Sequence, residues 1–107
     1  MNRPEPPPPQ TYILRLFVAG TTLRSQRAIS HIRDLCDEHL PDRFDLEVID
    51  VYANPQATRE YQIVATPTLV KVLPEPLRRI IGDLSDHAKV LSMLSIGAVG
   101  GSTGAIA

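Results

Sequence analysis

One cysteine, no tryptophan and no long apolar run remove several classes of protein at once. Cys36 has no second thiol to pair with, so an intrachain disulfide framework is excluded. With aromatics at only 5% of the residues, the core has to be built from Leu, Ile and Val. No stretch approaches the roughly 20 apolar residues that span a bilayer. The start of the chain is polar and proline-rich instead of a charged segment followed by an apolar one, so no secretory signal is expected. Neither sign of charge dominates: eleven Lys and Arg against twelve Asp and Glu leave a formal charge of -1. That balance gives no general affinity for nucleic acid or an anionic membrane. A cytoplasmic location is the resulting expectation.

What is present is a chain of 107 residues with 43% hydrophobic content, enough for one core and too short for two. Met1 to Gln10 carries Pro4 and the run Pro6 to Pro9, which favours an extended polyproline conformation. Residues 1–10 therefore read as a disordered leader, with a PxxP ligand as the alternative. Residues 11–96 read as the folded domain. Beyond Ile96 the chain is too rich in glycine to hold a helix, and residues 97–107 read as a flexible Gly-Ala tail.

Within the domain, Thr11 to Val18 is nearly all β-branched, aromatic or aliphatic, with Arg15 as its one charge, and predicts a strand buried on both faces. Ala28, Ile29, Ile32, Leu35, Cys36 and Leu40 recur at helical spacing and predict an amphipathic helix over residues 25–40. Phe44 to Val51 resumes strand character, giving a parallel β-α-β unit. Asn54-Pro55 is a helix start, since Asn can cap free amides and proline is tolerated at the first helical position. Pro67 removes a donor and fixes φ, so it belongs at the entry of a strand, and Thr66-Pro67 can be cis or trans there. Thr68 to Leu73 and Leu77 to Ile81 form a hairpin around Pro74-Glu75-Pro76. Ser85 is the expected cap of a last helix whose inner face is Ala88, Leu91 and Leu94. The order β-α-β-α-β-β-α predicts a thioredoxin-like α/β domain.

The residues supply little chemistry for that frame. Thioredoxin-type oxidoreductases carry Cys-X-X-Cys where the first strand gives way to the first helix, and here that place reads Gly20-Thr21-Thr22-Leu23. Cys36 sits on the apolar stripe of the helix and is expected to be buried. His31, His39 and His87 show no metal-ligand spacing. Asp34 with Asp37, and Asp83 with Asp86, are accounted for by solvated faces and helix ends. No phosphate-binding loop or nucleophile elbow occurs, so no cofactor, metal or catalytic residue is assigned and the chain does not read as an enzyme. One arginine of the pair Arg78-Arg79 should point inward or to an edge, in a salt bridge to Asp83 or a partner contact, the two not being exclusive. Arg24, Arg27 and Arg33 mark the first helix.

Five stretches carry a family resemblance. They are Thr11 to Gly20, Val48-Ile49-Asp50-Val51, Asn54-Pro55-Gln56, Ala65-Thr66-Pro67-Thr68-Leu69, and Arg79 to Asp86. Together, in this order, they resemble KaiB, the bacterial circadian clock family. The resemblance implies a binding protein. Members bind the N-terminal ring of the hexameric ATPase KaiC, compete there with the thioredoxin-like sensor domain of a histidine kinase, and in complete clocks help sequester KaiA. It also implies fold switching between a tetrameric ground state with a different second half and a thioredoxin-like monomer that binds KaiC, so self-association as dimer or tetramer is open. Carried onto this chain, the rearranging segment is about Asn54 to Ser95. The partner-binding face comprises Asn54, Pro55, Arg59, Gln62 and Ile63, with Arg27 from the first helix. Pro67, Gly82, Asp83, Met93 and Ser95 are the positions tied to the switch.

Three departures modify that expectation. Met93 and Ser95 stand where many members have Gly and Asp, and removing a helical Gly relieves a penalty of about 1 kcal/mol, which favours the thioredoxin-like state. Gln62 replaces a basic residue common on the binding helix. A Gly-Ala tail takes the place of the acidic C-terminus of many members. Two other classes are the alternatives: a redox or glutathione-linked thioredoxin-fold enzyme, which the thiol-free turn argues against, and a thioredoxin-fold interaction or holdase-like stress protein without redox activity, resembling the kinase's KaiC-binding sensor domain.

Overall fold

The computed structural model describes residues 11–96, and the expected leader and tail lie outside them. Seven elements follow one another: β1 (Tyr12–Val18), α1 (Leu23–His39), β2 (Phe44–Asp50), α2 (Pro55–Glu60), β3 (Thr68–Leu73), β4 (Arg78–Ile81) and α3 (His87–Leu94). The sheet order is β2-β1-β3-β4, with β1 parallel to β2 and both β1–β3 and β3–β4 antiparallel. This is the thioredoxin-like arrangement that the element order predicts. Among the described residues no helix is long and apolar enough to cross a membrane.

The central place of β1 explains its composition. Alternate residues of a strand face opposite sides, and Leu14, Leu16 and Val18 pack with Ala28, Ile32, Leu35 and Cys36 of α1 and with Val90 and Leu94 of α3. Phe17 turns the other way, into a smaller cluster with Ile49 and Val70 that Ala57 and Tyr61 of α2 cover. The sheet thus has α1 and α3 on one face and α2 on the other. Arg15 shares the α2 side of β1 but lies toward the β2 edge, where Glu47 (3.0 Å) and Asp45 (3.8 Å) hold its guanidinium.

Several local expectations change. α1 starts at Leu23, earlier than residue 25, because Thr22 is the cap: its Oγ1 accepts from the Ser25 amide at 3.1 Å. The cap of α3 is Asp86, whose carboxylate accepts from the Lys89 amide at 3.1 Å, and Ser85 instead gives its own amide to Asp83 Oδ1. Ala88 is exposed, and the inner face of α3 is Val90 and Leu94, with Leu91 half-buried against the same core as expected. Both Arg78 and Arg79 are exposed, and the Asp83 salt bridge is not formed among the described residues. Arg79 Nε donates to the Tyr61 carbonyl at 2.8 Å, which ties β4 to the end of α2.

Lys71 is buried, at 1% exposure, on the strand between β1 and β4. It pairs across the ladder with Leu14 on one side and Arg78 on the other. Burial first, and the Arg78 charge second, push its pKa below the ordinary 10.5. The folded state therefore binds fewer protons than the unfolded chain between the lowered pKa and 10.5, so stability rises with pH through that window. Lys71→Met is expected to be more stable than the parent at pH 7 by about 1 kcal/mol. It should also lack the alkaline rise. Urea midpoints of the two proteins from pH 7 upward check both.

Candidate functional site

The most exposed apolar side chains at the α2 end of the molecule are Tyr52 (78%) and Val64 (86%), flanking α2 on either side. α2 starts at Pro55, as the Asn54-Pro55 signal predicts, but Asn54 does not cap it with its side chain. The Asn54 amide nitrogen Nδ2 instead donates to the Asp50 carbonyl at 3.1 Å, fastening the helix start to the end of β2. The helix ends at Glu60, with Tyr61 as its C-cap. Gln62 takes a left-handed φ of 56°, its amide returns to Arg59 O and that of Ile63 to Thr58 O, each at 3.0 Å. Those two bonds are a Schellman ending, built here without glycine. No glycine announces the stop, so it was not legible in the sequence.

The β1–α1 turn shows what occupies the place of a reactive thiol. Thr22 Oγ1 donates to Ser25 Oγ at 2.9 Å, and Ser25 Oγ accepts from the Ala19 amide at 3.3 Å. Asp50 Oδ1 takes the amides of Gly20 (3.3 Å) and Tyr52 (3.0 Å), joining this turn to the start of the α2 layer. Gly20, at φ 64°, has the freedom that the turn requires. Cys36 is far along α1, fully buried, its pKa pushed up to about 12 by burial and by Asp37. Its thiol should react with a disulfide reagent at pH 8 about a thousandfold more slowly in the folded protein than in urea. A time course of thiol release under both conditions measures this.

Asn54, Pro55, Arg59 and Gln62 are all exposed, with Ile63 half-buried. Ile63 lines, with Val51, Thr58, Val64, Ala65 and Thr66, an open cleft of about 200 Å³ between this helix end and the entry to β3. Arg27 is exposed on α1, whose buried side covers the opposite face of the sheet, so it does not join the α2 layer. Pro67 is buried at the entry to β3 and follows a cis peptide bond. Its carbonyl accepts from the Gly82 amide at 3.0 Å, and Gly82 has φ 131°, a value side-chain-bearing residues rarely adopt. Asp83 follows, its carbonyl at 2.7 Å from His31 Nδ1, and hydrogen bonds from Ser85 hold its carboxyl below the usual carboxylate range. Met93 is half-buried against the core, and Ser95 lies just past α3 in a left-handed conformation with φ 63°.

The model of the KaiB domain matches residues 15–96. The chain belongs to the KaiB family. The circadian clock oscillator protein KaiB of Prochlorococcus marinus is 52% identical over 89 residues, spanning 83% of this chain and 75% of its own length. The circadian clock protein KaiB3 of Synechocystis is 50% identical over 84 residues, 78% of this chain and 82% of that one. Among solved structures, the N-terminal domain of SasA from Synechococcus elongatus superposes with a TM-score of 0.69 at 27% identity, covering 89% of this KaiB-family chain and 93% of that domain. Mitochondrial thioredoxin 3 from Saccharomyces cerevisiae reaches 0.66 at 19% identity over 81% of this chain and 80% of its own, which speaks for the fold alone. The family is one of clock proteins, and this member has Gly20-Thr21-Thr22-Leu23 at the β1–α1 turn.

Proposed function

We propose that this KaiB-family chain is a non-enzymatic, cytoplasmic regulator that binds the N-terminal ATPase ring of a KaiC-family hexamer and modulates its phosphorylation and ATPase cycle. The observation that carries the reading is the pairing of a KaiB sequence with the thioredoxin-like arrangement shared with the SasA N-terminal domain. In the family that arrangement is the one assigned to ring binding. The docking face on this reading is the exposed side of α2 with the segments before and after it, comprising Asn54, Pro55, Arg59, Gln62 and Ile63. Arg27, from α1 on the other layer, is the remaining residue assigned to the partner by the family resemblance. KaiA and a kinase sensor domain are the accompanying partner and competitor where the system has them. On this reading the arrangement of the seven elements is the ring-binding form, and a chain that rests in it binds without rearranging residues 54–95.

Size-exclusion chromatography with light scattering tests this, with the protein alone and after incubation with a KaiC-family hexamer hydrolysing ATP. Co-elution with the ring, lost in Arg59→Glu and strengthened in Gln62→Lys, is the expected result. A folded protein that stays free of the ring after long incubation overturns the reading. Suppression of client aggregation by that same protein would then favour a holdase-like role.

A further inference from the structure

α1 and α3 meet through two imidazoles that the sequence gives no reason to associate. His31 on α1 and His87, the first residue of α3, lie with ring centres 5.8 Å apart and planes at 78°. Both are half-buried. His31 Nδ1 is 2.7 Å from the Asp83 carbonyl oxygen. A carbonyl offers only lone pairs, so Nδ1 carries the proton and the neutral ring presents an unprotonated Nε2. Metal-bound histidines use this same device, giving their other N–H to a backbone carbonyl to fix tautomer and orientation. The spacing agrees. With a metal–nitrogen bond of about 2.0–2.1 Å, each ring centre is about 3 Å from the ion, and two rings on one ion have centres about 5–6 Å apart.

We propose that His31 and His87 together form a site for one borderline divalent transition-metal ion, which bridges α1 to α3. Imidazole nitrogen suits Zn²⁺, Ni²⁺ and Cu²⁺ over Mg²⁺ or Ca²⁺. In the loop that leads into α3, Asp83 Oδ1 accepts from the Ser85 amide and Asp86 Oδ1 from the Lys89 amide, each at 3.1 Å. Among the described residues no third ligating side chain completes the site, so water fills the remaining positions and binding is modest. The site requires α3 to be docked as a helix beside α1. An ion held there therefore favours this arrangement over any in which His87 is elsewhere, by mass action.

The test uses the full chain without a purification tag. Thermal melts in zinc chloride, repeated in nickel chloride, should show the midpoint rising by about 7 °C at ten times the dissociation constant, reversed by a chelator. His31→Gln and His87→Gln should each abolish the rise. His39→Gln, at an exposed position near the end of α1, should retain it. No rise in the parent, or an equal rise in either of the first two variants, overturns the proposal. Should a variant not fold, the parent protein still decides: substoichiometric Cu²⁺ should broaden the NMR signals of His31 and His87 first. Broadening centred on His39, or spread without focus, contradicts the bridge.

Discussion

Leu94→Ala lowers the stability of the thioredoxin-like arrangement by about 3 kcal/mol, the middle of the range for emptying a buried leucine site. The side chain is fully buried in the core shared by β1, α1 and β4. α3 has eight residues, well below the roughly 12–15 that a helix needs to persist in water, so it exists because it is docked. Its own buried residues are Val90 and Leu94. Leu84 and Ile96 on either side, and the bond from Tyr12 Oη to the Ser95 carbonyl at 3.3 Å, complete the anchorage. Urea unfolding followed by circular dichroism measures the loss. Exposed Ser92→Ala, on the same helix, should stay within about 0.5 kcal/mol of the parent. A loss below about 1 kcal/mol for Leu94→Ala would mean that α3 is not docked as described.

Met93→Gly should cost about 2 kcal/mol, with two comparable contributions. Glycine inside a helix is about 1 kcal/mol worse than a good helix former. The half-buried Met93 side chain, packed on the core, adds about 1 kcal/mol of lost burial. At 1.4 kcal/mol per factor of ten, the total raises the population of any competing arrangement about thirtyfold. If the second fold implied by the family resemblance is accessible to this chain, Met93→Gly is the variant that brings it into view, as tetramer in light scattering. Ser95 acts in the opposite direction. It occupies the left-handed position after α3, where a residue other than glycine costs on the order of 1 kcal/mol. Ser95→Gly should therefore stabilise this arrangement and offset much of the Met93→Gly loss in the double variant. Equal stability of parent and Met93→Gly would remove the reason for placing this member toward the thioredoxin-like side.

Most of the framework could be read from periodicity and punctuation. β1 and β3 are mostly apolar because they are the two inner strands, each with one charged residue, Arg15 and Lys71, and Pro67 marks the entry to β3 as the loss of its donor requires. The ends of helices were harder. Ser85 and Asp86 are both good caps, and local sequence does not say which carboxylate or hydroxyl will reach an amide three residues on. The end of α2 depends on Gln62 accepting a left-handed φ, against its intrinsic preference, while Arg79 from a distant strand secures the Tyr61 carbonyl. Tertiary contact decided that ending.

The candidate site was legible in part. Contiguity puts Asn54, Pro55, Arg59 and Gln62 in one segment, where they are exposed while Ala57 and Tyr61 pack inward, whereas Arg27 is separated from them by the sheet. Helical periodicity gives the buried side of α1 but not which face of the sheet it covers. The proximity of His31 to His87 was hidden for a similar reason. It follows from how α3 docks on the sheet beside α1, and neither residue's neighbours in sequence carry that information.

Secondary chemical shifts of the free, isotope-labelled protein test most directly that this chain rests in the thioredoxin-like arrangement. Strand values over Thr68–Leu73 and helical values over His87–Leu94 in the dominant species are the expected result. Helical values over Thr68–Leu73 would place the resting chain in the other fold and contradict both the role assigned to Met93 and a ring-binding face formed in advance.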